Sequence, residues 1–265
     1  MITTDSPSST ARMMVECENL NLSFGRAQIL KDVSLSLPIG RMVGLVGESG
    51  SGKSTLARAI VGVHRIDSGR LAVLGEDMSK PTRRQLHQQY RKVQYIPQDP
   101  YSSLNPRRTI GETLAEAVDP ATANLRRHRE EIIRSLEVMG LGGTVLDRYP
   151  HQFSGGQRQR IAIVRALLVK PQLIVADEIT SALDVSVQAE VVKQLQDLKG
   201  SVDWSMVFIT HNLAVTQQVC DDVVVMKQGR IVEVGSVERV FRAPESDYTQ
   251  LLLNSVPGSA GFSLA

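Results

Sequence analysis

The run Gly47, Glu48, Ser49, Gly50, Ser51, Gly52, Lys53, Ser54, Thr55 has the G-x-x-x-x-G-K-[ST] spacing of a loop that cradles nucleotide phosphates. Glycines let successive backbone N–H groups turn inward on an anion. The Lys53 ammonium reaches the terminal phosphates, and the Ser54 hydroxyl is available to Mg2+. The loop implies binding of ATP or GTP. A second chemical feature is Asp177 with Glu178, two adjacent carboxylates delivered at the end of the apolar run Leu173, Ile174, Val175, Ala176. Alone, that pattern also fits a strand running into a charged loop. Downstream of a phosphate loop it divides labour: Asp177 holds Mg2+, largely through water, and Glu178 orients the attacking water for phosphoryl transfer. A third feature is Ser154, Gly155, Gly156, Gln157, whose Ser and Gln have the spacing of a helix capping box. A well-capped helix would suffice to explain it. Two glycines in a first turn nevertheless weaken a helix, by up to about 1 kcal/mol each in an interior, and so point to something that must approach the backbone closely. Its N–H groups, its serine hydroxyl and the positive helix end form an anion site.

These groups need elements to hold them. Arg41 to Val46 reads as a short buried strand entering the loop and Thr55 to Val61 as a helix leaving it. Further strands are expected at Met14 to Leu20, Val33 to Leu37, Leu71 to Leu74, Lys92 to Ile96, Leu173 to Ala176, Met206 to Thr210, Val223 to Lys227 and Arg230 to Glu233. The early ones are polar-punctuated like an antiparallel sheet, and the later Leu-Ile-Val-Ala and Val-Val-Val-Met runs look buried on both faces like parallel strands. The expected class is α/β with a mixed sheet, a parallel core plus an antiparallel β subdomain. Between residues 99 and 170 strand signals vanish, and helices are expected at Ile110 to Val118, Leu125 to Met139 and Gln157 to Val169. This predicts an inserted helical subdomain. The expected organisation is a disordered N-terminus over 1–12 and one domain over 13–255. In that domain 13–98 and 171–255 form the nucleotide-binding core around the helical segment 99–170. A last helix over Tyr248 to Leu253 and a flexible tail over 256–265 complete the chain.

At 265 residues the chain can bury one sizeable core, either as one α/β domain with an insertion or as two domains. Thirty Lys and Arg against 28 Asp and Glu leave a formal net charge of +2, which gives no electrostatic case for nucleic acid or a strongly anionic surface. Cys17 and Cys220 lie far apart without metal spacing and read as two buried thiols in a reducing compartment. No run approaches 18 consecutive apolar residues, so no membrane span is expected. Met1 to Thr10 lacks the basic start and apolar stretch of a secretory signal, consistent with a cytosolic protein.

With two phosphate-binding helix ends far apart in one chain, the sequence resembles the ABC transporter ATPases, which are P-loop NTPases. Phe153 to Gln157 is similar to their signature segment, usually Leu-Ser-Gly-Gly-Gln, which contacts ATP held by the phosphate loop of a second subunit. The resemblance implies further roles. Phe24 would stack on adenine, and Gln98 would be the hinge glutamine that touches Mg2+ and water. Ser181 to Asp184 would cross the dimer interface, and His211 would be the switch histidine at the γ-phosphate. Lys53, Gln98, Glu178 and His211 would act in catalysis. ATP would lie on Phe24, on Gly47 to Thr55 and on the Ser154 to Gln157 segment of a second subunit, with Mg2+ on Ser54, Gln98 and Asp177. His64, His87, His128 and His151 have no ligand-like pairing. The chain departs from the family pattern at Phe153, at Ile179 where Pro normally follows the Asp-Glu pair, and at Asn212 where Asp is common. Ile179 loosens a fixed φ near Asp184.

Gln98 to Arg107 and Asp247 to Leu253 resemble the ATPase subunits of bacterial oligopeptide, dipeptide and nickel importers. That branch implies a second, homologous or identical, ATPase subunit, expected here to be a different chain. It also implies two membrane permeases, indirectly a solute-binding protein, and a peripheral position on the cytoplasmic face of the inner membrane. No iron-sulfur cluster is expected, because the chain stops soon after the Tyr-Thr-x-Leu-Leu-Leu element. The sequence also admits two rival readings. One is an ABC ATPase acting on nucleic acid or ribosomes, which the near-neutral charge disfavours. The other is a phosphate-loop kinase or a nucleotide-binding module without turnover, which the signature segment and Glu178 disfavour.

Overall fold

In a computed structural model, residues 12–181, 183, 185–199 and 204–255 are described. Residues 1–11 of the expected N-terminal segment 1–12, the expected tail over 256–265, and Ala182 and Asp184 of the expected interface loop lie outside them. The described residues gather into two compact units, one of 12–90 and 204–255 and the other of 91–199.

The first unit opens with β1 (Met13–Phe24) and β2 (Ala27–Pro38), paired antiparallel. Both run longer than the apolar residues alone suggest. Polar residues interrupt the pattern without ending the strands: Asn19 and Asp32 take positive φ values of 46° and 51°, and the register shifts around them. The Asn21 side chain bridges the irregularity, donating to the Asn19 carbonyl at 2.8 Å and accepting the Asp32 N–H at 3.0 Å. Then come β3 (Met42–Val46), buried throughout, and α1 (Lys53–Ile60), which buries Leu56, Ala57, Ala59 and Ile60. β4 (Ser68–Val73) and the two-residue β5 (Glu76–Asp77) extend the antiparallel sheet to the order β2-β1-β4-β5. α2 (Arg83–Lys92) has no counterpart among the expected helices, because it buries only Gln89 and so carries no apolar stripe.

In the second unit β6 (Val93–Ile96) pairs parallel with the later β7. The stretch between them is helical, and no strand occurs there among the described residues. α3 (Ile110–Val118) starts on a Thr109–Glu112 capping box, and α4 (Leu125–Val138) is capped by Asn124. α5 (Gly155–Leu168) follows, then β7 (Leu173–Asp177), buried at all five residues, and α6 (Val185–Lys199). α5 takes both glycines into its first turn rather than starting at Gln157.

The first unit resumes with β8 (Ser205–Ile209), α7 (Leu213–Val219), β9 (Asp222–Lys227), β10 (Arg230–Ser236), α8 (Val237–Arg242) and α9 (Asp247–Asn254). Within this unit β3 lies between β8 and β9, parallel to both, and β10 pairs antiparallel with β9. The sheet is therefore mixed with a parallel core, and the class is α/β, as the sequence leads one to expect. The start of β3 is fixed by charge. Arg41 forks onto buried Asp222 at 2.9 and 2.8 Å, and Asp221 accepts the Met42 N–H at 2.9 Å. Both cysteines are buried thiols that form no disulfide. Among the described residues no helix is long and apolar enough to cross a membrane.

Candidate active site

β3 delivers its last residue, Val46, opposite Val225 of β9, which brings the loop that follows against the end of that strand. Gly47 takes φ 147°, and a Cβ there would lie 2.1 Å from the Met226 carbonyl oxygen, so only glycine fits. Gly52 caps α1 at φ 103° without a side-chain capping bond, leaving the helix entrance to be satisfied by something other than its own cap. The Lys53 side chain is buried and folds back over the loop, donating to the Gly47 carbonyl at 2.8 Å and the Glu48 carbonyl at 2.7 Å. Ser51 Oγ lies 3.4 Å from the same ammonium, and the Ser51 N–H closes a turn on the Glu48 carbonyl at 3.2 Å. The loop thus surrounds one ammonium with backbone, an arrangement fitted to the phosphates of a nucleotide.

The second unit holds the carboxylates. Parallel pairing sets Tyr95 opposite Val175 and Ile96 opposite Ala176, so Gln98 and Glu178 leave their strands side by side. Gln98 Nε2 donates to Glu178 Oε2 at 3.0 Å, across 80 residues of sequence. Glu178 itself sits in the left-handed region at φ 48°, a conformation of the kind that persists where the surroundings over-determine it. Ser181 reinforces it, its N–H and its hydroxyl both donating to the Glu178 carbonyl, at 3.1 and 2.9 Å. Ile179 is buried beside it. Asp177 is 2% exposed and accepts the Tyr95 hydroxyl at 2.7 Å. Reading the sequence missed Tyr95; only the β6–β7 register reveals it.

The glycine pair is held just as firmly. Ser154 Oγ accepts the Gln157 N–H at 3.3 Å and Gln157 Oε1 accepts the Ser154 N–H at 3.0 Å, completing the expected capping box. Ser154 and Gly155 are exposed. Beneath them the buried Arg158 donates to the carbonyls of Pro150 and Phe153, and its guanidinium lies 3.8 Å from the Tyr101 ring centroid. Arg158 also escaped the sequence reading, since a buried arginine on a helix of polar first turns has no signature of its own. Phe153 is buried, with the Arg148 guanidinium 4.5 Å from its ring centroid.

His211 is exposed, two residues beyond the end of β8. Asn212 caps α7 by accepting the N–H groups of Ala214 and Val215 at 3.0 and 3.3 Å, a role that Asn fills as well as Asp. Phe24 is 50% exposed at the end of β1, with His64 edge-on at 5.0 Å. Burial, and the nearby Arg58 charge, hold His64 below the usual histidine range. His128 lies 3.9 Å from both Asp119 and Glu131, and His151 stacks on Tyr149. Among the described residues no group of three or more His, Cys, Asp or Glu could hold a metal ion. The Gln98 amide oxygen and the Asp177 carboxylate of the second unit, and the Ser54 hydroxyl of the first, are each hard oxygen donors of the kind that suits Mg2+.

A sequence profile described as ABC transporter matches residues 30–181. The chain belongs to the ABC transporter family. As a member of it, the chain is an ATPase. An oligopeptide transport ATP-binding protein of Streptococcus mutans is 42% identical over 253 residues, covering 93% of this chain and 82% of its own length. A di/tripeptide transport ATP-binding protein of Pseudomonas aeruginosa is 45% identical over 236 residues, 88% of this chain and 73% of its own. Among solved structures, a dimeric ATP-binding cassette in a post-hydrolysis state bound to ADP and Pi superposes with a TM-score of 0.76 at 26% identity, over 84% of this chain and 99% of its own. The ABC transporter subunit cbiO1 of Clostridium perfringens, at 24% identity, shares the fold with a TM-score of 0.79 over 88% of this chain and 92% of its own.

Proposed function

We propose that this chain is the ATP-binding and ATP-hydrolysing subunit of an ABC importer that powers uptake of peptides or a related small solute, nickel included, through separate membrane permeases. The observation that carries the hydrolytic half is Glu178, held by Gln98 at the end of a buried strand. The solute class is supported by the names of the peptide-transport relatives. In this reading 13–98 and 171–255 form the nucleotide-binding core and 99–170 the helical subdomain. Phe24 stacks on adenine, the backbone of Gly47 to Thr55 receives the phosphates, and Lys53 leaves its carbonyl partners to meet the terminal ones. Ser54, Gln98 and Asp177 would hold Mg2+, which would supply positive charge against the phosphates. Glu178 accepts a hydrogen bond from the water that attacks the γ-phosphorus. The bond from that phosphorus to the β-phosphate oxygen breaks, and ADP and phosphate leave. His211 contacts the γ-phosphate.

Each site is finished by Ser154 to Gln157 of a second subunit, so two ATP molecules join two such domains and hydrolysis releases them. The partner is a different ATPase chain, and the pair docks on two permeases fed by a solute-binding protein. This assembly lies peripherally on the cytoplasmic face of the inner membrane. Uptake of labelled di- and oligopeptides and of Ni2+, compared between cells carrying the wild-type gene and cells carrying Lys53→Ala, tests the proposal. Loss of one solute's uptake in the variant is expected. Unchanged uptake of all of them contradicts the transport role.

A further inference from the structure

The last helix of the chain reaches back to the phosphate loop. Tyr248, in the first turn of α9, is 6% exposed, and its hydroxyl accepts the Glu48 N–H at 3.1 Å across 200 residues of sequence. Glu48 is the pivot of the loop: its carbonyl takes both the Ser51 N–H and the Lys53 ammonium, while its N–H goes to Tyr248. The phenol is itself held in place. Lys227, the last residue of β9, puts its ammonium 4.5 Å from the centre of the Tyr248 ring. Two residues on, the Gly229 N–H donates to the Ser51 carbonyl at 2.9 Å, so the β9–β10 turn supports the loop as well. At the other end of the connection is Glu233 on β10, 2% exposed, whose carboxylate accepts the N–H groups of Glu245 and Ser246 at 2.9 and 3.2 Å. Ser246 is the N-cap of α9 and makes no side-chain capping bond, so the buried Glu233 carboxylate fixes the entry to that helix.

We infer that Tyr248 is a positioning residue for the nucleotide, fixing the Glu48 peptide and thereby the phosphate loop, with Glu233 as its anchor. This rests on the reading that Gly47 to Thr55 binds ATP. When Lys53 swings to the phosphates, the Gly47 and Glu48 carbonyls give up their ammonium partner, and the bond to Tyr248 is what keeps the Gly47–Glu48 peptide plane in register. The interaction therefore matters most in the nucleotide-bound state. The phenol stays protonated through the physiological range, because burial and the neighbouring Glu48 carboxylate raise its pKa while the Glu48 N–H opposes them only in part.

The test is Tyr248→Phe, which keeps the ring, its packing and the Lys227 contact while removing one acceptor. Two readouts separate positioning from mere stability: hydrogen exchange of the Glu48 amide in the nucleotide-free chain, and Kd and KM for ATP against kcat. Loss of one hydrogen bond predicts roughly fivefold faster exchange at Glu48 with β3 amides unchanged, and Kd and KM about fivefold higher with kcat within about twofold. Glu233→Gln, acting from the far end of the connection, shifts Kd in the same direction by a smaller factor. Unchanged Glu48 exchange, or a Tyr248→Phe chain that binds ATP as tightly as wild type, overturns the inference alone. A wild-type chain that binds no ATP overturns the nucleotide reading and this inference with it.

Discussion

The two glycines that open α5 make opposite predictions for the same substitution. Neither has a positive φ, so alanine is conformationally allowed at both. A Cβ on Gly155 meets nothing within 4 Å, whereas one on Gly156 lies 2.6 Å from Val187 Cγ1 on α6. Replacing glycine by alanine in a helix gains about 0.5–1 kcal/mol from the lower entropy of the unfolded chain. At Gly155 nothing opposes that gain, which corresponds to a Tm about 2–4 °C higher at most. At Gly156 the contact is roughly 1 Å inside the carbon–carbon optimum, and forcing Val187 aside costs about 1–3 kcal/mol, so the net change is destabilising. Stability alone would then favour alanine at 155. If phosphates carried by a second subunit approach the exposed Gly155 backbone, the added methyl stands in their way. Gly155→Ala is therefore expected to melt at or above the wild-type temperature, bind ATP normally, and lose at least about tenfold in turnover, as expected when transition-state positioning is disturbed by about an ångström. Thermal denaturation and a steady-state phosphate-release assay on the same preparation decide it. A Gly155→Ala chain with wild-type turnover refutes the reasoning.

Other consequences can be checked separately. Gly47→Ala, whose Cβ would sit 2.1 Å from a backbone oxygen at φ 147°, should weaken ATP binding by about 100-fold, since strain of 1–3 kcal/mol adds to a clash that no side chain can relieve. Gly50→Ala, at φ 78° with open space around it, should cost only about tenfold in the same fluorescent-nucleotide titration. Burial pushes the Cys17 thiol up to about 12, so iodoacetamide at pH 8 should leave it unlabelled in the native chain and label it readily in denaturant, as mass spectrometry will report. Lys170, hydrogen-bonded to Glu131 at 2.8 Å, holds that carboxyl below its usual 4.5, with His128 and Arg134 adding to the effect. Glu131 therefore binds fewer protons folded than unfolded, and its stabilisation, present above pH 4.5, is lost as pH falls below it. The gap in denaturation midpoint between wild type and Lys170→Met should narrow through that acid window.

The conformation of the loop was legible because its residue types are dictated by what they touch: only glycine tolerates the φ and the close approach found at Gly47. β3 and α3 were readable for a related reason, a buried run entering a loop and an apolar stripe behind a Thr–Glu cap. α2 was not, because it buries a glutamine and little else. The extents of β1 and β2 were hidden by Asn19, Asn21 and Asp32, which look like strand ends and are in fact bulge residues bonded to one another. Pairings such as Gln98 with Glu178 and Tyr95 with Asp177 follow from the β6–β7 register, and the contact of Tyr248 with Glu48 follows from the return of α9 across 200 residues. No local pattern carries such information, since these contacts exist only once sheets have formed.

The central claim is that Glu178 drives hydrolysis at a nucleotide shared between two subunits. Glu178→Gln keeps size and hydrogen-bonding capacity and removes the negative charge that polarises water. Sedimentation of the variant with ATP and Mg2+, alongside its phosphate release, measures both halves of the claim. ATP binding should survive, turnover should fall by at least about 100-fold, and an ATP-dependent dimer, with itself or with its partner ATPase, should persist. Undiminished hydrolysis in Glu178→Gln contradicts the account.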